Sequence, residues 1–376
     1  MRIAIVTESY PPDVNGVAHS VVRVAEHLVR RGHQPVVVAP ASATRPTPDR
    51  HHPYPVVRVP SVAVPRYRGL RLGLPGPRLT EALAAHAPDV VHLASPFVLG
   101  AWAMTVAGQR GLPTVAVYQT DLAAYARLYR LGWTEAAAWR RLRSIHNAAD
   151  LTLAPSSRSV ADLVAHGIQR VRLWRRGVDA VRFDPAKADD ELRRSLAPDG
   201  ALLVGYVGRL AAEKRVELLA PTCRLSGVRV VVVGAGPADR ELRKTLPDAL
   251  FLGELHGERL ARLYASLDVF VHPGPHETFG QTVQEAQASG LPVVAPAAGG
   301  PVDLVSPGRT GFLVPPDDGR AIADAVATLA ADPGARRCFG TAARAGVTAR
   351  TWAAVGDELV AHYRTVLTAP APRIAA

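Results

Sequence analysis

At 376 residues, 48% of them apolar, the chain is long enough for two domains with separate cores. Two cysteines, Cys223 and Cys338, cannot build a disulfide framework or a zinc site, which favours a reducing cytoplasm, and Met1–Val6 runs straight into a strand rather than a signal peptide. The net charge of +11 is one-sided: residues 1–180 hold 22 Arg, no Lys and 11 acidic residues, while the rest balances at 22 basic and 22 acidic, so either an arginine-rich solvated surface or a face for an anionic partner is open.

Strands are predicted at Ile3–Thr7, Pro35–Ala39, Val56–Val59, Val90–Leu93, Thr114–Tyr118, Leu151–Ala154 and Val171–Trp174. Between them fall helices at Val17–Arg31, Arg78–His86, Val98–Gln109, Glu135–Ala148 and Ser157–His166. The apolar run Val90–Ala107 is long enough to suggest a membrane span. It contains His92, Ser95 and Pro96, and reads better as a buried strand, a turn and a buried helix. The second half repeats the rhythm, with strands at Leu202–Val207, Arg229–Val233, Leu250–Leu252, Val269–His272, Val293–Ala295 and Gly311–Val314. Its helices are predicted at Lys214–Leu219, Ala238–Leu246, Glu258–Ser266, Phe279–Ser289, Arg320–Ala331 and Gly334–Ala345. Uncharged β runs between amphipathic helices imply an α/β chain of two Rossmann-like domains, parallel sheets facing a central cleft at the strands' carboxyl ends. The expected division is residues 1–182, residues 183–350, and a last helix at 351–368 that returns to the first domain; the Ala/Pro-rich tail is expected to be disordered.

The segment after Val269–His272 carries Glu277 and Glu285, eight residues apart across the start of a helix. Two carboxylates so placed can line one cleft and accept hydrogen bonds from a polyhydroxylated ligand such as a sugar nucleotide. Locally, a helix-capping Glu277 and a solvated Glu285 are the alternative. In the first βα turn, Asn15-Gly16 precedes a helix, where Gly16 would let a diphosphate approach backbone N–H groups, or serve as an ordinary loop glycine. That turn is too glycine-poor for the dinucleotide fingerprint, which disfavours a redox Rossmann enzyme. After Val207, Arg209 and Lys214 place two cations at a cleft mouth, able to neutralise a leaving nucleoside diphosphate without a metal. No D-x-D occurs, so no metal is expected.

Together these stretches resemble the retaining family-4 glycosyltransferases of the GT-B fold, over roughly residues 2–367. The E-x7-E segment, Gly208-Arg209-Leu210 with Lys214, Val233-Gly234-Ala235-Gly236-Pro237, Gly299-Gly300-Pro301 and Gly308-Arg309-Thr310-Gly311 carry the likeness. The resemblance implies that Glu285 binds ribose hydroxyls and that Glu277 contacts the donor sugar. It implies that Arg209, Lys214 and Gly16 meet the diphosphate, and that the backbone N–H groups of Phe279 and Gly280 meet sugar hydroxyls or phosphate. Many members carry a histidine where Gln119 stands, helping to position the sugar; the departure moves the expectation to Asp121, which could instead cap a helix. Transfer in the family is thought to be front-face, so no protein nucleophile is needed.

Tyr10–Val17, Tyr118–Asp121 and His272–Phe279 look most similar to actinobacterial GDP-mannose-dependent α-mannosyltransferases with lipid acceptors. That implies a nucleotide-sugar donor, GDP-mannose, and a lipid-linked or glycolipid acceptor in cell-envelope synthesis. Arg58, Arg66, Arg68, Arg71 and Arg78, and then Arg127, Arg130, Arg140, Arg141 and Arg143 beside Tyr129, Trp133 and Trp139, suit an anionic membrane surface. The expected location is peripheral, on the cytoplasmic face of the plasma membrane. The alternatives are a UDP-sugar donor with a small acceptor, a sugar-nucleotide epimerase, or a basic binder of nucleic acid or membrane; nucleic acid is disfavoured because aromatics are only 6%.

Overall fold

A computed structural model describes residues 1–13, 15–42, 52–63, 71–119 and 135–368. The chain divides into two compact units, Met1–Arg176 with Trp352–Ala376, and Gly177–Thr351. In the first, β1 (Arg2–Thr7), β2 (Gln34–Pro40), β3 (Val56–Val59), β6 (Val90–Ala94), β7 (Thr114–Val117), β8 (Leu151–Ala154) and β9 (Val171–Leu173) form one parallel sheet in the order β3-β2-β1-β6-β7-β8-β9. β1 is an interior strand, with Ile3, Ala4, Ile5 and Val6 all fully buried, as an uncharged run covered on both faces should be. Its covering helices include α1 (Gly16–Arg30), α2 (Pro77–His86), α3 (Leu99–Gln109), α4 (Glu135–Ala148) and α5 (Ser157–Ala165). A short antiparallel pair, β4 (Ser61–Ala63) with β5 (Arg71–Gly73), was not foreseen, because three residues are too few to display a period. The run from Val90 resolves into β6 and α3, and among the described residues no helix is long and apolar enough to cross a membrane.

The second unit has a six-stranded parallel sheet, β12-β11-β10-β13-β14-β15. Its strands are β10 (Leu202–Val207), β11 (Val228–Val233), β12 (Leu250–Gly253), β13 (Val269–Val271), β14 (Val293–Pro296) and β15 (Gly311–Val314). The helices are α6 (Asp190–Leu196), α7 (Ala220–Cys223), α8 (Asp239–Thr245), α9 (Gly257–Ser266), α10 (Gln281–Ala288), α11 (Pro301–Leu304), α12 (Gly319–Ala331) and α13 (Pro333–Val347). Strand order reverses between β10 and β13, and a ligand crevice opens at the carboxyl ends of strands at such a reversal. The helix expected at Lys214–Leu219 is instead two 3₁₀ turns, Ala212–Lys214 and Val216–Leu219, broken by Arg215 at φ 50°. Lys214 therefore closes a turn and does not open a helix.

The last helix, α14 (Trp352–Thr368), completes the first unit. Val355, Leu359, Val360, Tyr363 and Val366 join the core beneath β1 and β2. Four polar contacts fix its register: Trp174 Nε1 donates to Val355 O (3.0 Å), the Tyr363 hydroxyl meets His92 Nδ1 (2.7 Å), and Asp357 receives His27 Nε2 (3.0 Å) and Arg31 Nε (2.8 Å). Burial pushes His92 down to about 3, so its imidazole is neutral and can pair with a phenol at no ionic cost.

Candidate functional site

In the second unit the site assembles at the β10/β13 reversal. The 3₁₀ turn after β10 is held against the loop after β13: a Cβ on Gly274 would lie 2.9 Å from Glu213 O and 3.0 Å from Lys214 Cα, so only glycine permits the approach. That contact brings Lys214 to Glu277. Its ammonium lies 2.6 Å from Glu277 Oε2, with the side chains 15% and 22% exposed, a charge pair shielded enough to be strong but open to a ligand. His272, at the end of β13, is 2% exposed, and its Nε2 lies 3.7 Å from the same carboxylate oxygen. Burial pushes it down to about 4, leaving a neutral ring beside the charge pair.

Arg209, the second expected cation, pairs with the carboxylate of Glu213, which is 1% exposed, while the guanidinium side chain stays half exposed. The Tyr206 hydroxyl donates to Arg209 O (3.0 Å) and fixes the loop. The helix carrying Glu285 starts at Gln281, with Gly280 as its N-cap at φ 98° and Phe279 buried just before it. This is two residues later than expected, because the left-handed Gly280 cannot be helical. Gly300 N donates to Glu277 O (2.7 Å), and a Cβ on Gly300 would lie 2.1 Å from Phe279 O, so the Gly299-Gly300 turn is the mould that shapes the Glu277–Phe279 loop.

Glu285 keeps partial exposure, yet its carboxyl is densely surrounded by protein. Burial pushes it up to about 7, opposed by hydrogen bonds from Gln281 and Tyr264 and by the Arg182 charge. The Tyr264 hydroxyl lies 3.5 Å from Glu285 Oε2, and Gln281 Nε2 also donates to Gly177 O (3.2 Å). Glu285 is thus not a solvated charge, and α10 takes no side-chain cap from Glu277. Glu285 is instead a carboxyl whose ionised form wants more hydrogen-bond donors than the protein supplies, which is what a diol would offer.

In the first unit, Gly16 opens α1, but the helix end is not bare: Asn15 Oδ1 accepts from Val17 N and Ala18 N (both 3.0 Å), and Asn15 Nδ2 donates to Ser9 Oγ (2.7 Å). Two N–H groups expected to greet a diphosphate are therefore already capped. Gln119 follows β7 and is buried. Asp121 lies outside the described residues. Nothing local in the sequence marks Arg176, whose side chain reaches both Gly16 and Gln119. Nor did the sequence single out Glu8, which follows β1 and accepts from Phe97 N and Gly100 N (both 3.0 Å) at the start of α3; burial raises its pKa.

The arginines assigned to a membrane surface divide. Arg58 donates to Pro40 O (3.0 Å) and Pro11 O (2.6 Å) and lies over the Tyr10 ring, and Arg71 is bound to Ser61, so both serve the interior of the unit. Trp139 stacks on His166 at 3.6 Å and is likewise engaged. Arg140, Arg141 and Arg143 on α4 are exposed. Arg66, Arg68, Arg127, Arg130, Tyr129 and Trp133 lie outside the described residues. Among the described residues no cluster of His, Cys, Asp and Glu could hold a metal ion.

Comparison with known proteins agrees with this geometry. The model described as Glycosyltransferase Family 4 matches residues 14–182, and that described as Glycosyl transferases group 1 matches residues 201–332. A GDP-mannose-dependent alpha-mannosyltransferase of Mycolicibacterium smegmatis is 51% identical over 98% of each chain. One of Mycobacterium tuberculosis is 49% identical over 97% of each. Among solved structures, sucrose-phosphate synthase from Thermosynechococcus elongatus superposes with a TM-score of 0.82 at 23% identity, covering 98% of this chain and 100% of that one. Anabaena HepE with UDP gives 0.81 at 21%, covering 97% and 100%; at such identities both report the fold alone. Two parallel Rossmann-like sheets, family models across both halves and near-full-length relatives at about half identity lead to one conclusion: the chain belongs to the family-4 glycosyltransferases, of GT-B fold.

Proposed function

We propose that the protein transfers mannose from GDP-mannose, with retention, to a hydroxyl of a lipid-linked or glycolipid acceptor. The observation that carries transfer is the Arg209, Lys214 and Glu277 cluster at the β10/β13 reversal. The choice of donor is supported by the names of the full-length relatives. In this reading the acceptor oxygen bonds to the anomeric carbon while the carbon–oxygen bond to the diphosphate breaks. The electron pair leaves with the phosphate, and a phosphate oxygen takes the acceptor's proton. Lys214 has three N–H donors, so it can keep Glu277 and still meet a phosphate oxygen, with Arg209 beside it on an exposed stem. Charge accumulating on the leaving group is thereby offset without a metal. Glu277 addresses the sugar, Glu285 the ribose diol, Gly16 the diphosphate, and the backbone of Phe279 and Gly280 the sugar or phosphate; Asp121 is assigned to the sugar or the acceptor hydroxyl.

The acceptor reading is that the protein works peripherally at the anionic cytoplasmic face of a membrane, with exposed Arg140, Arg141 and Arg143 of α4 as the described part of the contact. The testing experiment incubates the protein with GDP-[¹⁴C]mannose and vesicles bearing glycolipid acceptors, with and without EDTA. Labelled lipid formed equally in both is expected. Label moved only from UDP-sugars would change the donor, and loss of transfer in EDTA would overturn the metal-free chemistry. Co-sedimentation with anionic vesicles that is strong at low salt and weak at high salt is expected; indifference to lipid charge would remove the membrane reading.

A further inference from the structure

Helix α10 begins with Gln281 and carries Glu285 one turn further on, so the two side chains lie on one face of the helix. Gln281 also reaches a distant part of the second unit's sequence: its Nε2 donates to Gly177 O (3.2 Å), 104 residues earlier in the chain. The same amide donates to the Glu285 carboxyl. Its Oε1 is buried and accepts no hydrogen bond among the described residues, so the amide acts through its nitrogen alone.

Gly177 decides which way that amide is turned. A backbone carbonyl can only accept, so the nitrogen must face it, and the second N–H is left for the carboxyl. Flipping the amide would set its oxygen against both a carbonyl and a carboxylate, losing two hydrogen bonds and adding repulsion. The anchor is itself held: Gly177 is buried, and the next residue, Val178, donates its N–H to Arg350 O (2.9 Å). The other groups facing the carboxyl are Tyr264 of α9, whose hydroxyl lies 3.5 Å from Oε2, and Arg182 and Asp179, which act on it with opposite signs. Of the remaining elements packed along α10, α13 meets it through Arg344, bound to Asp184 and Ala288 O, while α11 carries Asp303 and β14 no charge. Tyr264 stands at the far limit of a hydrogen bond, and Asp179 opposes Arg182. Gln281 is therefore the group best set to favour an ionised, fixed Glu285.

We propose that Gln281 is a positioning residue: oriented by the Gly177 carbonyl, it holds the Glu285 carboxylate ready for the ribose hydroxyls of the nucleotide. The inference rests on the reading of Glu285 as the ribose partner. It adds a second side chain on which that contact depends, anchored to the first residue of the second unit.

The test measures GDP affinity of the full-length protein by calorimetry between about pH 5.5 and about pH 9, for the parent, Gln281→Met, Gln281→Lys and Glu285→Gln. The phosphate of GDP titrates alike against all four, and Glu285→Gln displays that background alone. In the parent, affinity should climb above the background as Glu285 ionises, with a midpoint at about 7. Methionine keeps the length of the side chain but has no N–H to give, so the carboxyl ionises later. The midpoint should rise by about one pH unit, with GDP bound about 5-fold more weakly at about pH 7 and a smaller loss at about pH 9. Lysine supplies donors to both Gly177 O and the carboxylate, so its midpoint should fall below the parent's. A Gln281→Met loss of equal size at every pH would overturn the inference, as would midpoints that stay in place or move the same way in both variants. Should Gln281→Met not fold, a Gln281→Lys midpoint at or above the parent's overturns it unaided. Parent protein that does not bind GDP, or a Glu285→Gln protein that matches the parent across the range, would sink the ribose reading and this inference with it. A parent and Glu285→Gln that behave as expected, with any of the contrary Gln281 results, sink the inference alone.

Discussion

Replacing Glu285 by glutamine should stabilise the ligand-free protein above neutral pH and remove most of the stabilisation that nucleotide gives. Burial holds the carboxyl at about 7, against 4.5 for an ordinary glutamate. Between those values the folded chain keeps a proton that the unfolded chain has lost. The stability contributed by this group is therefore fully present below about pH 4.5 and is lost as pH rises through about 7. A gap of about 2.5 pH units, at about 1.36 kcal/mol each, makes the ionised group cost about 3 kcal/mol above neutral pH. Glutamine keeps the shape and the contacts with Tyr264 and Gln281 but cannot ionise. The variant should be more stable than the parent by about 2–4 kcal/mol at about pH 8.5, and nearly equal to it at about pH 4. With nucleotide that advantage should shrink to near zero. A ligand at 100 times its dissociation constant stabilises the parent by about 2.7 kcal/mol, and the variant should lose most of that because its amide is a poor partner for a diol. Thermal unfolding of both proteins across this pH range, with and without GDP, reads all four quantities. Parallel pH curves, or a variant less stable than the parent at high pH without ligand, would refute the claim that Glu285 is strained by burial.

Lys214→Met should strand Glu277 beside a neutral ring, lowering stability by about 2–4 kcal/mol and transfer by about 100-fold or more; a variant of unchanged activity would remove Lys214 from the site. Gly300→Ala, whose Cβ would strike Phe279 O at 2.1 Å, should cost about 1–3 kcal/mol in thermal unfolding and reduce kcat through the Glu277 loop, whereas an active, stable protein would show that the loop can shift. Tyr363→Phe should lower stability by about 1–2 kcal/mol, because His92 loses its partner in a sealed core, with KM for the donor unchanged; a change in KM would mean that α14 reports to the site. Binding of GDP at about pH 6.5 should release protons from Glu285 as donors gather around its carboxylate, seen as a calorimetric heat that varies with buffer ionisation enthalpy.

The sheets were legible because each central strand is an uncharged β-branched run, and Glu277 and Glu285 because a fixed spacing across a strand–helix junction survives folding. What escaped was set by contacts between distant residues. Arg176 reads as a linker arginine until the fold carries it to Gly16 and Gln119. Lys214 looked like the start of a helix because its neighbours are good helix formers, and only the left-handed Arg215 breaks the turn. Membrane-facing arginines were over-assigned because composition cannot tell Arg58, folded inward over Tyr10, from Arg140 on the outside.

The return of α14 to the first unit has a consequence for synthesis. The first unit begins at Met1, yet five of its buried apolar residues lie between Val355 and Val366. The intervening body, Gly177–Thr351, is synthesised in full while the earlier one still lacks a wall. At about 5–20 residues per second, those intervening residues take roughly 10 to 35 seconds to make. For that interval the first body lacks the apolar side chains of α14 that complete its core. A chain cut short near its end would forfeit the half that was made first.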